Sequence, residues 1–256
     1  MAEKFEEIVT VVRQEEIAEH IFSMVIKTEQ IAEHAKAGQF VSVYCNDGTK
    51  LLPRPISICE IDKEAKTLRL VYRIAGKGTA EFSSLQSGEQ VRVLGPLGNG
   101  FEKKDKKAFL IGGGIGIPPM LELAKELDCE KQMVLGYRTN DLFLKDEFTA
   151  YGDVYVATED GTAGTKGNVL DAIRENGLKA DIIYACGPTP MLRALKEYAA
   201  ENHIECWISM EERMACGIGA CLACVCKSKE KDGHTNVNNK RICKEGPVFA
   251  AEEVEF

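Results

Sequence analysis

Hydrophobic and polar positions alternate through much of the first hundred residues. Ile8–Arg13 (IVTVVR), Ile21–Lys27 (IFSMVIK), Phe40–Cys45 (FVSVYC), Leu68–Arg73 (LRLVYR) and Gln90–Leu94 (QVRVL) alternate or run apolar at strand length. Gly, Asp and Asn interrupt them, as at Asn46-Asp47-Gly48. The runs follow one another without helical crossovers, which predicts an antiparallel barrel of six short strands. One short helix is expected from Thr79 to Leu85, with Thr79 as its N-cap.

The pattern changes after Gly95–Phe101 (GPLGNGF) and the polar run Glu102–Lys107. Apolar runs at Ala108–Ile111, Gln132–Leu135, Val154–Ala157, Ile182–Ala185 and Glu205–Ile208 now alternate with helical segments. The helices are expected at Met120–Leu127 and near Lys145–Ala150, Val169–Asn176 and Pro190–Glu201. Strand–helix alternation predicts an α/β unit with a parallel sheet, whose ligands bind at the carboxyl ends of the strands. The expected organisation is therefore multidomain: a barrel over residues 1–101, an α/β unit over 102–209 and a small C-terminal module over 210–256.

Composition narrows the function. A chain of 256 residues accommodates two domains and a small module. A formal net charge of −8 argues against nucleic acid or an anionic membrane surface as partner. The N-terminal Met1–Glu7 is charged and lacks the apolar core of a secretory signal, and no apolar run reaches membrane-spanning length, so a cytoplasmic protein is expected. Ten cysteines in an unexported chain point to metal or redox chemistry rather than to disulfides.

The cysteines at the C-terminal end carry that chemistry. Cys216, Cys221 and Cys224 form C-x4-C-x2-C, and Cys243 follows after eighteen residues. This is the plant-type [2Fe–2S] ligand spacing. Gly217, Gly219, Ala220 and Ala223 keep the loop slim enough to bring thiolates around one small cluster. A four-cysteine zinc site is the competing reading, but structural zinc favours two short paired spacings. Cys226, two residues past Cys224, reads as a bystander.

Two stretches of the barrel suit a flat ring and a diphosphate. Arg54-Pro55-Ile56-Ser57 offers a cation, an extended backbone and a hydroxyl. Gly76-Lys77-Gly78-Thr79 offers backbone N–H groups at a helix start. In the α/β unit, the glycine turn Gly112–Pro119 (GGGIGIPP) follows the first strand, where a dinucleotide pyrophosphate would lie, and it also permits close strand–helix packing. Cys186-Gly187-Pro188-x-x-Met191 ends the fourth strand, and its thiol has the bland alternative of a small buried side chain. Thr158–Gly161 (TEDG) could approach a ribose or be a solvated turn, and Arg138 could hold a 2′-phosphate. The four histidines, His20, His34, His203 and His234, sit in no motif, and no Ser/His/Asp or paired-carboxylate constellation stands out.

Taken together these motifs resemble the ferredoxin–NADP reductase superfamily. The resemblance implies FAD against Arg54, Pro55, Ile56 and Ser57, with Val71, Tyr72, Arg73, Gly78 and Thr79 on its ribityl-diphosphate side. It implies NAD on Gly112, Gly113, Gly114, Gly116, Pro118, Gly187, Pro188 and Met191, with Cys186 facing the nicotinamide beside the flavin. Pro55 stands where many relatives have an aromatic residue.

Over essentially the whole chain the resemblance is narrower, to the electron-transfer subunits of B-type dihydroorotate dehydrogenases, and Cys243–Phe249 (CKEGPVF) fits that family's C-terminal end. It implies a separate FMN-containing catalytic subunit, in a heterotetramer of two of each, that oxidises dihydroorotate during pyrimidine synthesis. Electrons would pass from that FMN to the [2Fe–2S] cluster, then to FAD, then to NAD⁺. A flavin and iron–sulfur subunit of another complex, such as a bifurcating NAD(H)–ferredoxin oxidoreductase or a cytosolic hydrogenase, is the alternative. A zinc-binding interaction protein is a third reading.

Overall fold

The computed structural model describes residues 3–231 and 236–256. Strands β1 (Phe5–Ala18), β2 (Ile21–Lys27), β3 (Phe40–Val43), β4 (Arg54–Asp62), β5 (Thr67–Arg73) and β6 (Gln90–Leu97) close into an antiparallel barrel in the order β1-β2-β5-β4-β3-β6. The period of two places Val9, Val11, Met24, Ile26, Val41, Val43, Ile58, Leu68, Leu70, Val91 and Val93 inside, none more than 2% exposed. Burying each such side chain contributes about 1.5–3 kcal/mol relative to leaving it in water. Register breaks between Val11 and Arg13 and between Glu16 and Ala18 bend β1, so that one strand pairs with both β2 and β6.

Helix α1 (Ile31–His34) covers one end of the barrel, and α2 (Lys77–Phe82) follows β5. The expected N-cap of α2 shifts. Gly76 caps the helix and Thr79 is its third residue, where its Oγ accepts from the N–H groups of Ala75 at 2.9 Å and Gly76 at 3.2 Å. Threonine reaches back one turn here instead of opening the helix, which is the reciprocal half of a capping box.

The second unit is a parallel sheet of β7 (Ala108–Gly113), β8 (Lys131–Tyr137), β9 (Asp153–Thr158), β10 (Thr165–Lys166), β11 (Ile182–Cys186) and β12 (Glu205–Ser209). Helices α3 (Pro118–Glu126), α4 (Lys145–Phe148), α5 (Val169–Glu175) and α6 (Thr189–Asn202) connect it. β7, buried along its whole length, has helices on both sides, as its unbroken apolar run requires. Glu122 on α3 is 4% exposed, and its carboxylate accepts the Ile61 N–H of β4 at 2.8 Å, tying this unit to the barrel.

The C-terminal residues build a small sheet of their own and add a strand to the large one. β13 (Val225–Ser228), β14 (Asn239–Arg241) and β16 (Val254–Glu255) make a small antiparallel sheet, but β15 (Val248–Ala250) pairs antiparallel with β12 and becomes the seventh strand of the large sheet. The polar stretch Lys227–Lys240 (KSKEKDGHTNVNNK) starts and ends as the β13–β14 hairpin, with Ser228 buried, and residues 232–235 lie outside the described residues. Among the described residues no helix is long and apolar enough to cross a membrane.

Candidate functional site

A single cleft of about 2020 Å³ runs between the barrel and the carboxyl ends of β7, β8 and β11. Arg54, Pro55, Ile56, Ser57, Val71, Tyr72, Arg73 and Thr79 line it from the barrel. Gly113, Gly114, Gly116, Cys186, Gly187, Pro188 and Met191 line it from the sheet. Val225, Cys226, Lys227 and Pro247 reach it from the C-terminal residues. Gly78, Gly112 and Pro118 lie behind this lining.

On the barrel wall, strand alternation sorts the residues. Pro55 and Ser57 alternate with Ile56, which belongs to the barrel core. Tyr72 also turns inward: it is 2% exposed, and its hydroxyl accepts from Gln14 Nε2 at 2.7 Å. Burial pushes its phenol up to about 12. The Arg54 guanidinium donates to the Leu52 carbonyl and lies over Gly78, where a Cβ would stand 2.3 Å from its Nε. Gly78 is thus a glycine so that Arg54 can cross above the α2 turn. The Thr79 hydroxyl is engaged within that turn, donating to the Gly76 carbonyl at 3.1 Å.

On the sheet wall, the two glycine motifs meet. A Cβ on Gly113 would come within 2.6 Å of Met191 Sδ, one on Gly116 within 2.3 Å of the Cys186 carbonyl oxygen, and one on Gly187 within 2.5 Å of Met191 Cε. At Gly116 the contact is with backbone, so a side chain there would force the two motifs apart, whereas at Gly113 and Gly187 it is with the flexible end of Met191. Gly114, at φ +53°, faces the barrel instead, with Arg73 its nearest neighbour at 3.7 Å from a built Cβ. Pro118 starts α3, where its missing N–H costs nothing. Burial pushes the Cys186 thiol up to about 12 in spite of its hydrogen bond with Ser209, so Cys186 is a neutral thiol at physiological pH.

The cysteine loop holds its thiols in two pairs, Cys216 with Cys221 and Cys224 with Cys243. Cys216 Sγ accepts from the N–H of Ile218 at 3.5 Å and of Ala220 at 3.3 Å. Cys224 Sγ accepts from the N–H of Cys243 at 3.4 Å. Burial opposes the Cys216 thiolate, but the surrounding donors prevail and lower it to about 7. The hydrogen bond from Cys243 lowers Cys224 to about 6 and raises Cys243 itself. Gly217 at φ +67° and Gly219 at φ +86° give the loop its left-handed turns. Arg241 Nη1 ties the loop to β14 by donating to the Gly219 carbonyl at 3.0 Å. Cys226 stands apart, donating to the Lys240 carbonyl at 3.5 Å.

Three family models divide the chain between them. An oxidoreductase FAD-binding domain matches residues 8–101, an oxidoreductase NAD-binding domain matches 110–197, and the iron-sulfur cluster binding domain of dihydroorotate dehydrogenase B matches 211–255. A "dihydroorotate dehydrogenase B (NAD(+)), electron transfer subunit" of Bacillus velezensis is 46% identical over 255 residues, covering 96% of this chain and 97% of that protein. The protein of the same name from Fusobacterium nucleatum is 44% identical over 260 residues, covering 96% and 97%. This chain belongs to that family. It is an oxidoreductase subunit with FAD-, NAD- and cluster-binding domains. Among solved structures, an NADH-dependent reduced ferredoxin–NADP oxidoreductase superposes with a TM-score of 0.87 at 32% identity, covering 97% of this chain and 90% of that one. A ferredoxin NADP⁺ reductase from Neisseria gonorrhoeae shares the fold alone, with a TM-score of 0.63 at 16% identity over 78% of this chain and 92% of that one.

The donor set fits the cluster the family carries. Four thiols, three of them on one short loop, would suit a [2Fe–2S] cluster. Several cleft residues escaped the motif-based reading. Phe40, Lys50, Leu52, Tyr137, Ser209, Glu211 and Phe256 come from separate segments of the chain, and only folding brings them together.

Proposed function

We propose that this chain relays electrons from a dihydroorotate-oxidising, FMN-containing partner subunit to NAD⁺, in the cytoplasm, as part of pyrimidine biosynthesis. Residues 1–101 hold FAD, 102–209 hold NAD and 210–256 hold the [2Fe–2S] cluster. Cys216, Cys221, Cys224 and Cys243 would hold its irons. When bound, the cluster supplies single-electron transfer, NAD⁺ accepts a hydride, and FAD converts between the two. Arg54, Arg73 and the α2 turn position the FAD diphosphate, Pro55 and Ser57 face its ring, and the glycines at 112–116 admit the nucleotide close to the backbone. Gly187, Pro188 and Met191 complete that wall, and Cys186 meets the nicotinamide as a neutral thiol. The partnership is a heterotetramer of two copies of each subunit.

The observation that carries this reading is the shared cleft, walled by residues of all three family-matched segments. Identity of 43–46% to the named electron transfer subunits, against 32% to the ferredoxin–NADP oxidoreductase, favours dihydroorotate over ferredoxin as the source of electrons. The test is orotate formation with NAD⁺ as acceptor, by this chain, by the catalytic subunit and by their mixture. The mixture should couple dihydroorotate oxidation to NAD⁺ reduction, and the chain alone should reduce artificial acceptors with NADH. Orotate produced by the chain alone, or a mixture no better than the catalytic subunit, overturns the reading.

A further inference from the structure

Ser42 is 1% exposed, and its hydroxyl has no hydrogen-bond partner. Two other buried side-chain atoms among the described residues share that condition, Gln14 Oε1 and Gln132 Oε1. The Gln14 amide is at least tied down through its Nε2, which donates to Tyr72 and to the Phe82 carbonyl. Gln132 lies near the amino end of β8, away from the cleft. Ser42 is different because of what surrounds it. A buried hydroxyl left unpaired destabilises the fold, so its place calls for a partner.

Strand β3 alternates, with Val41 and Val43 inside the barrel and Phe40 and Ser42 outside. Phe40 and Leu97 share an apolar cluster with Cys224, Cys226 and Cys243. Ser42 itself meets the cysteine loop: a Cβ built on Gly217 would lie 2.9 Å from Ser42 Oγ and 3.2 Å from Leu97 Cδ1. Gly217 directly follows Cys216. On its other flank, Ser42 is register partner to Pro55, and Val43 to Arg54, the start of the strand facing the FAD cleft. Ser42 therefore stands in the wall shared by the flavin strand and the cysteine loop. The N–H donors on Cys216 Sγ, from Ile218 and Ala220, belong to the loop itself. Ser42 is a hydroxyl that the barrel presents to it.

We propose that the Ser42 hydroxyl donates a hydrogen bond to sulfur at the cluster site, either a cluster sulfide or the iron-bound Cys216 thiolate, and so tunes the cluster's reduction potential from the barrel side. The inference rests on Cys216 being a cluster ligand. Donors to sulfur stabilise the extra negative charge of the reduced state and raise the potential. Ser42 is a positioning and tuning residue, and it touches no substrate.

The experiment uses the full chain with FAD and cluster loaded. Wild type, Ser42→Ala and Ser42→Cys are compared by iron and flavin content, by redox titration followed by EPR, and by pulsed EPR after exchange into D2O. Ser42→Ala should keep its iron and FAD, shift the cluster midpoint to a more negative value, and lose one strongly coupled exchangeable proton. Ser42→Cys, with a weaker donor, should fall between alanine and wild type. The flavin midpoint should stay in place. An unchanged cluster midpoint with the proton coupling intact would mean that the hydroxyl bonds only a water molecule, and it overturns the proposal. A shift confined to the flavin also overturns it. If Ser42→Ala does not fold, the wild-type proton coupling and the Ser42→Cys midpoint decide alone. Failure of the ligand assignment looks different, because Cys216→Ser would then retain wild-type iron.

Discussion

At the scale of single residues, the chain's chemistry was legible where spacing carries it. The C-x4-C-x2-C run can be read from sequence because a short loop leaves its thiols few ways to lie. In the structure Cys224 lies beside Cys243, nineteen positions on, which the sequence offers only as the distant fourth position of the ligand spacing. Replacing Cys224 by Ser should abolish the [2Fe–2S] absorbance and lower the iron content, while Cys226→Ser should leave both at wild-type level. Iron analysis with a visible spectrum checks each. The Arg54 prediction is energetic. Removing its charge-assisted contact should weaken FAD binding by about 1.5–3 kcal/mol, or roughly 10- to 150-fold in Kd. Gly78→Ala should act in the same direction, because its methyl would occupy the space that the Arg54 guanidinium now fills. FAD retained after gel filtration of each variant is the measurement, and full retention by both would remove Arg54 from the cofactor site. Ser42 had no such signature. A serine in an alternating strand looks like any other outward polar residue until the loop folds over it.

At the scale of elements, alternation and strand–helix succession anticipated the barrel, through five of its six strands, and the five longer strands of the sheet. They did so because each has enough residues to show a period. β10 and β15, of two and three residues, show none, and β15 owes its strand state to pairing with β12 some forty residues earlier. The start of β12 supports a prediction about pH. Partial burial works against the Glu205 carboxylate, yet Lys104, Lys106 and Trp207 Nε1 outweigh it and hold it at about 2. Its folded value lies below its ordinary one, so its contribution to stability is complete above about pH 4.5 and is lost as pH falls toward 2. Glu205 ties the segment entering β7 to the amino end of β12. Glu205→Gln should therefore lower stability at pH 7 and flatten the dependence of Tm on pH between about 4.5 and 2. Thermal melts of wild type and variant across that range are the check, and parallel pH profiles would show the ion pairs to be idle.

At the scale of the whole molecule, three separately recognisable segments are held together by hydrogen bonds that cross between them. Asn99 lies in the stretch leaving the barrel for the sheet. Its N–H donates to the Gly246 carbonyl at 2.6 Å, its Nδ2 to the carbonyls of Glu245 at 3.1 Å and Val248 at 2.8 Å, and its Oδ1 accepts from the Val248 N–H at 3.0 Å. The strand that starts at Val248 is β15, which joins the nucleotide-binding sheet, and the segment before it carries Cys243. One asparagine thus fixes the barrel, the sheet edge and the last cysteine relative to one another. Loss of its three side-chain hydrogen bonds at a partly solvated site should cost about 1–2 kcal/mol. A packing defect would spread that loss evenly, whereas a lost joint concentrates it at the cysteine loop. Asn99→Ala is accordingly expected to lower the urea midpoint modestly, to keep FAD, and to release iron faster to a chelator than wild type. Iron release at the wild-type rate, with the same drop in stability, would show that Asn99 braces the fold without holding the cluster segment in place.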